Sequence, residues 1–186
     1  KSALGAPFNV YAPGKYLQEG ASGGTGMEAV KAWPIAVAAG DSLGYNWPLN
    51  HFENEEYHLR VYGPNGFFRE FSGNTTDPDL NIRCGYQKKR GILNRLSGNI
   101  QLDISNTTKK KMEITIEDHA YGHPEQKIQI GKNTIKNIVV TATDSHGWYD
   151  FSVRVKGFSQ YNRRYAGRIE TGEPSKSDPF MGRTIV

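Results

Sequence analysis

Apolar and polar residues alternate along several segments with the two-residue period of half-buried β-strands. Ile100, Leu102 and Ile104 share one face, with Gln101 and Asp103 on the other. Met112, Ile114 and Ile116 alternate with Glu113, Thr115 and Glu117. Between these segments Ser105-Asn106-Thr107-Thr108-Lys109-Lys110 supplies turn formers, so the spacing predicts a hairpin. Tyr57, Leu59 and Val61 alternate with His58, Arg60 and Tyr62. Tyr149, Phe151, Val153 and Val155 alternate with Asp150, Ser152, Arg154 and Lys156. No long stripe of period 3.6 is present, which predicts an all-β protein with almost no helix.

Two of these segments read as copies. Tyr57-x-Leu59-x-Val61 aligns with Tyr149-x-Phe151-x-Val153 at a spacing of 92 residues (57 to 149), and Asp41-Ser42-Leu43 aligns with Asn133-Thr134-Ile135 at the same spacing. Downstream, Arg69-Glu70-Phe71-Ser72-Gly73 meets Arg163-Arg164-Tyr165-Ala166-Gly167 at 94 (69 to 163), with a two-residue insertion in the intervening turn. Strand, turn and strand-end signals recurring in order point to a duplicated module. The second copy starts with the strand at 99–105 and continues with 112–117. The first starts directly with Pro7-Phe8-Asn9-Val10-Tyr11, the counterpart of the later strand, so its opening strand is missing. Together with the abrupt opening Lys1-Ser2-Ala3-Leu4, which has no leader character, this predicts a piece of a longer chain. The boundary is expected near residues 88–97, giving an N-terminally incomplete module over 1–92 and a second over 93–186.

Composition narrows this picture. Its 186 residues suit one large domain or two of about 100 residues each. The 21 glycines, 9 prolines and 11% aromatics fit a turn-rich β protein with enough apolar residues for a core. The formal charge of +4 would draw the surface weakly toward anionic partners. The basic runs Lys88-Lys89-Arg90 and Lys109-Lys110-Lys111 fall at expected turns and read as solvated charge. The single cysteine, Cys84, excludes an internal disulfide and reads as a small buried hydrophobe. No apolar run approaches the roughly 20 residues of a helical membrane span.

Candidate chemistry is sparse. Glu117, Asp118, His119 and His123 are the one group of metal-ligating types, but their spacing at a strand end matches no recognised site, and a solvated loop is the favoured reading. Gly20-Ala21-Ser22-Gly23-Gly24-Thr25-Gly26 resembles a phosphate-cradling loop without the helix and Lys-Ser/Thr such a loop requires, and reads as a surface loop. Asp144-Ser145-His146 places triad residue types side by side, although triads assemble in space, so these residues are read as closing a turn. No catalytic residue, metal or cofactor is expected. In Gly63-Pro64-Asn65-Gly66 the proline fixes φ, and Asn-Gly supplies the positive φ that closes a tight turn.

The segments Tyr62-Gly63-Pro64-Asn65-Gly66-Phe67-Phe68-Arg69-Glu70-Phe71-Ser72-Gly73 and His146-Gly147-Trp148-Tyr149-Asp150-Phe151-Ser152-Val153 carry a specific pattern. It continues through Arg163-Arg164-Tyr165-Ala166-Gly167-Arg168-Ile169-Glu170-Thr171-Gly172 and the tail Pro174-Ser175-Lys176-Ser177-Asp178-Pro179, and Ala6-Pro7-Phe8-Asn9-Val10-Tyr11-Ala12 fits the first copy. Together they resemble the paired C-terminal domains of phosphocholine-specific bacterial phospholipases C. The resemblance implies two tandem immunoglobulin-like antiparallel β-sandwiches. It also implies a secreted or periplasmic parent that hydrolyses phosphatidylcholine or sphingomyelin with an N-terminal domain of the alkaline-phosphatase type. None of that domain's catalytic or metal-binding residues has a counterpart in this chain.

The resulting expectation is a non-catalytic accessory region that docks on the catalytic domain of the same polypeptide. Two alternatives accompany it: a module binding phospholipid membrane surfaces, and a carbohydrate-binding or adhesive sandwich, which rests on fold and aromatics alone. A nucleic-acid partner is not expected. The candidate lipid or interdomain contacts are Tyr62, Asn65, Phe67, Phe68, Arg69, Arg163 and Arg164. Against this stands the bland reading, in which the aromatics fill or cap the sandwich and the arginines lie on a solvated strand face.

Overall fold

The computed structural model describes residues 5–19, 25–89, 91, 95–174 and 176–181. Arg90 of the first basic run, and Gly20 to Gly24 of the glycine-rich stretch, lie outside the described residues; Thr25 and Gly26 begin a strand. Eleven strands are formed among the described residues: β1 (Ala6–Glu19), β2 (Thr25–Val37), β3 (Tyr57–Tyr62), β4 (Phe68–Gly73), β5 (Leu80–Lys88), β6 (Leu96–Asn106), β7 (Met112–Asp118), β8 (Gln126–Ile130), β9 (Thr134–Val140), β10 (Trp148–Val155) and β11 (Phe158–Arg168). Two short 3₁₀ turns, Leu49–His51 and Glu53–Glu55, are the only helical pieces described. The fold is all-β, and every strand pairing is antiparallel.

The strands form an eight-stranded sheet, β2-β1-β3-β4-β11-β10-β7-β8, and a three-stranded sheet, β5-β6-β9. The eight-stranded sheet runs through both repeats, joined where β4 pairs with β11. The segment 88–97, where the sequence places the module boundary, connects β5 to β6, and these strands pair with each other. The large core lies between the small sheet and the β11-β10-β7-β8 half of the large one. There Ile100, Leu102, Ile104, Ile114 and Val153 are wholly buried, with Phe151 and Ile130 almost so. Leu80, Ile82 and Cys84 of β5 pack against the same core, and burial pushes the Cys84 thiol up to about 11. The first half has a smaller aromatic cluster of Ala12, Tyr16 and Phe52, flanked by Trp33, Trp47, Leu49, Tyr57 and Leu59.

Two expectations are corrected. Thr25 and Gly26, read from the sequence as part of a surface loop, pair with Glu19 and Gln18 in the β1–β2 ladder. The segments 100–104 and 112–116 do not form a hairpin: β6 pairs with β5 and β9, whereas β7 pairs with β10 and β8. The chain arches from one sheet to the other at Asn106, whose buried side chain donates to the carbonyls of Lys110 (2.7 Å) and Gly131 (2.8 Å) and accepts from the Thr108 N–H (3.0 Å). Period-two alternation is identical for two strands lying side by side and for two strands facing each other across a core, so the pattern could not separate the two. The asparagine decides it, because it satisfies backbone groups that a ladder would otherwise pair.

The β1–β2 ladder is interrupted by a bulge. Ala12 opposes Lys31 and Lys15 opposes Ala29, leaving Pro13 and Gly14 against Val30, whose φ is +58°. Proline is tolerated there because a bulge needs no ladder hydrogen bond, and Pro34 lies on the edge strand β2 for the same reason.

Candidate functional site

The candidate contact residues converge on the β4–β11 seam. Phe71 opposes Arg163 and Arg69 opposes Tyr165 in that ladder. The repeat aligns Arg69 with Arg163 and Phe71 with Tyr165, so exchanging the two halves maps the register onto itself. This is the isologous geometry of a twofold dimer interface, here within one chain.

The contacts of the two arginines obey the same exchange. Arg69 donates to the carbonyls of Phe68 (2.7 Å) and Ala166 (2.8 Å) and to the Tyr149 hydroxyl (3.1 Å). Arg163 donates to the carbonyls of Asn162 (2.9 Å) and Ser72 (2.7 Å) and to the Tyr57 hydroxyl. Each guanidinium also lies over three rings: Arg69 over Phe67, Tyr149 and Tyr165, and Arg163 over Tyr161, Tyr57 and Phe71. Every partner in one set is the repeat equivalent of a partner in the other, and each arginine grips the tyrosine of the opposite half. The fork of donors on arginine and its stacking plane make both contacts at once, which an ammonium would not do.

Burial raises the Tyr149 phenol to about 12, although the nearby Arg69 charge opposes that rise, so the hydroxyl stays protonated at neutral pH. Tyr57 is raised as well, first by burial and then by its hydrogen bond to Asp77, which also lies 3.4 Å from Arg163. Asp77 breaks the symmetry. Glycines open space opposite both tyrosines: Gly167 pairs with Tyr149 and Gly73 with Tyr57. A Cβ on Gly167 would stand 3.0 Å from the Tyr149 hydroxyl, and one on Gly73 would collide with the Asp77 carboxylate.

On the other face of the seam Glu70 opposes Arg164, again at equivalent positions but with opposite charge. Arg164 makes a bidentate pair with Asp150 (2.7 Å for both bonds) and lies over Phe68. Glu70 takes hydrogen bonds from Arg60 Nε (2.6 Å) and His58 Nε2 (2.7 Å). Burial alone would raise the Glu70 carboxyl, but these two partners outweigh it and hold it below its ordinary range.

The remaining candidates lie around this seam. Asn65 (φ +56°) and Gly66 (φ +72°) close the turn as the sequence predicts, with the Gly63 N–H donating to the Phe67 carbonyl at 2.9 Å. The turn rests against the second half: a Cβ on Gly66 would meet the Trp148 ring at 3.0 Å, and Asn65 reaches Glu170 at 3.5 Å. Phe67 packs edge-on to Phe8, and Phe68 packs against Tyr62 with the ring planes inclined by 54°; both phenylalanines are partly buried. Tyr62 is 44% exposed and lines an open groove of about 370 Å³ with Tyr11, Pro13, Val30 and Arg60.

The acidic and histidine residues at 117–123 do not converge. Glu117 pairs with Arg154, His119 meets the Ser152 hydroxyl at 2.7 Å, and the Asp118 carboxylate accepts the backbone N–H groups of Tyr121, Gly122 and His123. Among the described residues no three His, Cys, Asp or Glu side chains gather as a metal site. Ser145 is buried with its hydroxyl 3.0 Å from the Ala142 carbonyl, and His146 takes a positive φ, so residues 144–146 close the turn before Gly147.

The sequence singles out Arg69, Arg163 and Arg164 but not their partners, Tyr149 for Arg69, Tyr57 and Asp77 for Arg163, and Asp150 for Arg164. The signal was available in the repeat, because an arginine and a tyrosine recur together in both copies.

The chain matches the family described as bacterial phospholipase C, C-terminal domain, over residues 1–74 and 80–168. It is 33% identical over 165 residues to a hemolytic phospholipase C of Pseudomonas aeruginosa, covering 82% of this chain and 21% of that one. It is 32% identical over 128 residues to a non-hemolytic phospholipase C of the same species, covering 68% and 18%. A non-hemolytic phospholipase C of Burkholderia pseudomallei is 33% identical over 150 residues, covering 80% and 21%. The chain thus spans about a fifth of the length of these relatives. It belongs to the bacterial phospholipase C C-terminal domain family.

Proposed function

We propose that the chain is the non-catalytic accessory region of a secreted or periplasmic phospholipase C acting on phosphatidylcholine or sphingomyelin, and that it docks on the catalytic domain and supports access to its cleft. The observation that carries this reading is the seam. Two repeats share one continuous sheet, and their arginines are satisfied across the join, which makes a stiff platform suited to positioning a neighbouring domain. Of the groups considered for chemistry, Glu117 is held by Arg154, Asp118 caps the 121–123 turn and Ser145 closes the turn before Gly147. The test is to delete this region from the parent enzyme and compare hydrolysis of a soluble phosphocholine ester with hydrolysis of phosphatidylcholine in bilayers. Reduced activity on either substrate supports the role; unchanged activity on both overturns it.

A lipid-surface role is the second reading. The open groove of Tyr11, Pro13, Val30 and Tyr62 favours it, since its aromatics and Val30 (62% exposed) face solvent beside the Arg60 guanidinium. This reading expects salt-sensitive co-sedimentation with phosphatidylcholine vesicles containing anionic lipid, lost on Tyr62→Ser. Absence of sedimentation at low salt removes it.

A further inference from the structure

The two halves of the eight-stranded sheet are not equally covered. Strand registers define the equivalence: Phe8 opposes Ile35 as Ile114 opposes Ile128, and Val10 opposes Val61 as Ile116 opposes Val153. In the second half Ile114, Phe151, Val153 and Tyr165 are buried beneath β6 and its neighbours. Their counterparts Phe8, Leu59, Val61 and Phe71 are only partly buried.

The segment opposite this face carries a second, independent sign. The β2-to-β8 spacing (Ile35 to Ile128, 93 residues) and the 92-residue spacing of the repeat at Leu43 and Ile135 both place residues 42–47 within the counterpart of β9. There Leu43, Tyr45 and Trp47 alternate with polar or small residues, a strand pattern. Yet 41–47 form no strand, and Leu43 and Tyr45 are 59% and 51% exposed. β9 pairs with β6. Among the described residues no strand stands where a β6 equivalent would pair with 41–47. Beside this segment lies an apolar groove of about 370 Å³ lined by Tyr45, Trp47, Leu49, Phe52, Tyr57 and Leu59. The Trp47 indole N–H is buried with no acceptor among the described residues, a state that is costly unless something supplies one.

We propose that this groove is the seat of one extended β-strand, supplied by the parent polypeptide on the N-terminal side of β1 as β6 stands on the N-terminal side of β7. The occupant carries branched aliphatic residues at every second position, as in Ile100-x-Leu102-x-Ile104, to fill the inner face. Its backbone pairs with residues 42–47, turning them into a strand, and one of its carbonyls accepts the Trp47 indole N–H. The first repeat then closes as a sandwich of the same plan as the second. The inference rests on the reading that this chain is one region of a longer phospholipase C.

Residue-resolved hydrogen exchange on the isolated chain and on the full parent enzyme tests it. Pairing along one side of an edge strand protects alternate amides. In the parent, every second amide of 42–47 is expected to exchange roughly 100-fold more slowly than in the isolated chain, and acrylamide quenching of Trp47 to fall. Equal exchange in both proteins overturns the proposal. Uniform protection of all six amides also overturns it, since that pattern marks burial under another domain's surface. So does dimerisation of the isolated chain with alternate protection of 42–47, which would make a second copy the occupant. The variant Leu43→Ser, at a side chain 59% exposed in the isolated chain, should leave the melting temperature of that chain unchanged and lower that of the parent. Because exchange is read independently of turnover, slowed exchange with deletion-insensitive activity would refute the accessory role and keep the strand.

Discussion

Arg69 holds the Tyr149 hydroxyl of the second repeat, and Arg163, its counterpart, holds the Tyr57 hydroxyl of the first. The pairing is reciprocal, so neither repeat completes its arginine site without the other. Both guanidinium groups also donate to backbone carbonyls on each side of the seam. The β4–β11 join is therefore fixed by side chains as well as by the ladder.

Removing one latch should weaken both halves together. Arg69→Ala leaves two carbonyls and a phenol without their charged donor and is expected to cost about 3 kcal/mol. Arg69→Lys keeps the charge but loses the fork, and should recover only part of that loss. A double-mutant cycle with Tyr149→Phe, read by urea unfolding, should show a coupling of about 1 kcal/mol.

Gly73→Ala should destabilise the chain by about 2 kcal/mol, because the new methyl displaces the Asp77 carboxylate from Tyr57 and Arg163. The same change at Gly85, where a Cβ meets nothing within 4 Å, should be close to neutral. Comparison of urea midpoints for the two variants checks this.

Glu70 links stability to acid. Its carboxyl is held below the ordinary value of 4.5, so its contribution is present above that pH and is lost as pH falls through the lower folded value. Glu70→Gln should cost about 1–2 kcal/mol at pH 7, and the gap from the unmodified chain should close as pH drops below 4.5. Equal gaps at neutral and acid pH would contradict this.

The tyrosines set the alkaline limit. Tyr149 is raised from 10.0 to about 12, and Tyr57 and Tyr165 are also raised, chiefly by burial. A raised acid contributes stability that is complete below its unfolded value and declines as pH climbs toward the folded one. The urea midpoint should therefore hold up to about pH 10 and fall between 10 and 12, together with the rise of phenolate absorbance.

Phe67 and Tyr62 should separate packing from surface function. Phe67 lies edge-on to Phe8 and beneath Arg69, so Phe67→Ser should cost about 2–3 kcal/mol. Tyr62→Ser, on a half-exposed ring, should cost under about 1 kcal/mol. Thermal unfolding of the two variants gives the comparison.

The sequence by itself determined the strictly alternating strands, because a half-buried strand imposes period two on its residues, as at Tyr57 to Val61 and Ile100 to Ile104. It determined the 63–66 turn, because Asn-Gly is among the few pairs that accept two positive φ values. It also determined the duplication, from which the equivalence of Arg69 and Arg163 follows. Tertiary structure decided which strands lie side by side and which lie face to face, since alternation records only that one face is buried and not what buries it. That is why residues 105–110 proved to be an arch between sheets. It decided, too, that the arginines reach across the seam, because the register of β4 on β11 is set by contacts about 90 residues apart in the chain, and no local pattern encodes which tyrosine a long side chain will meet.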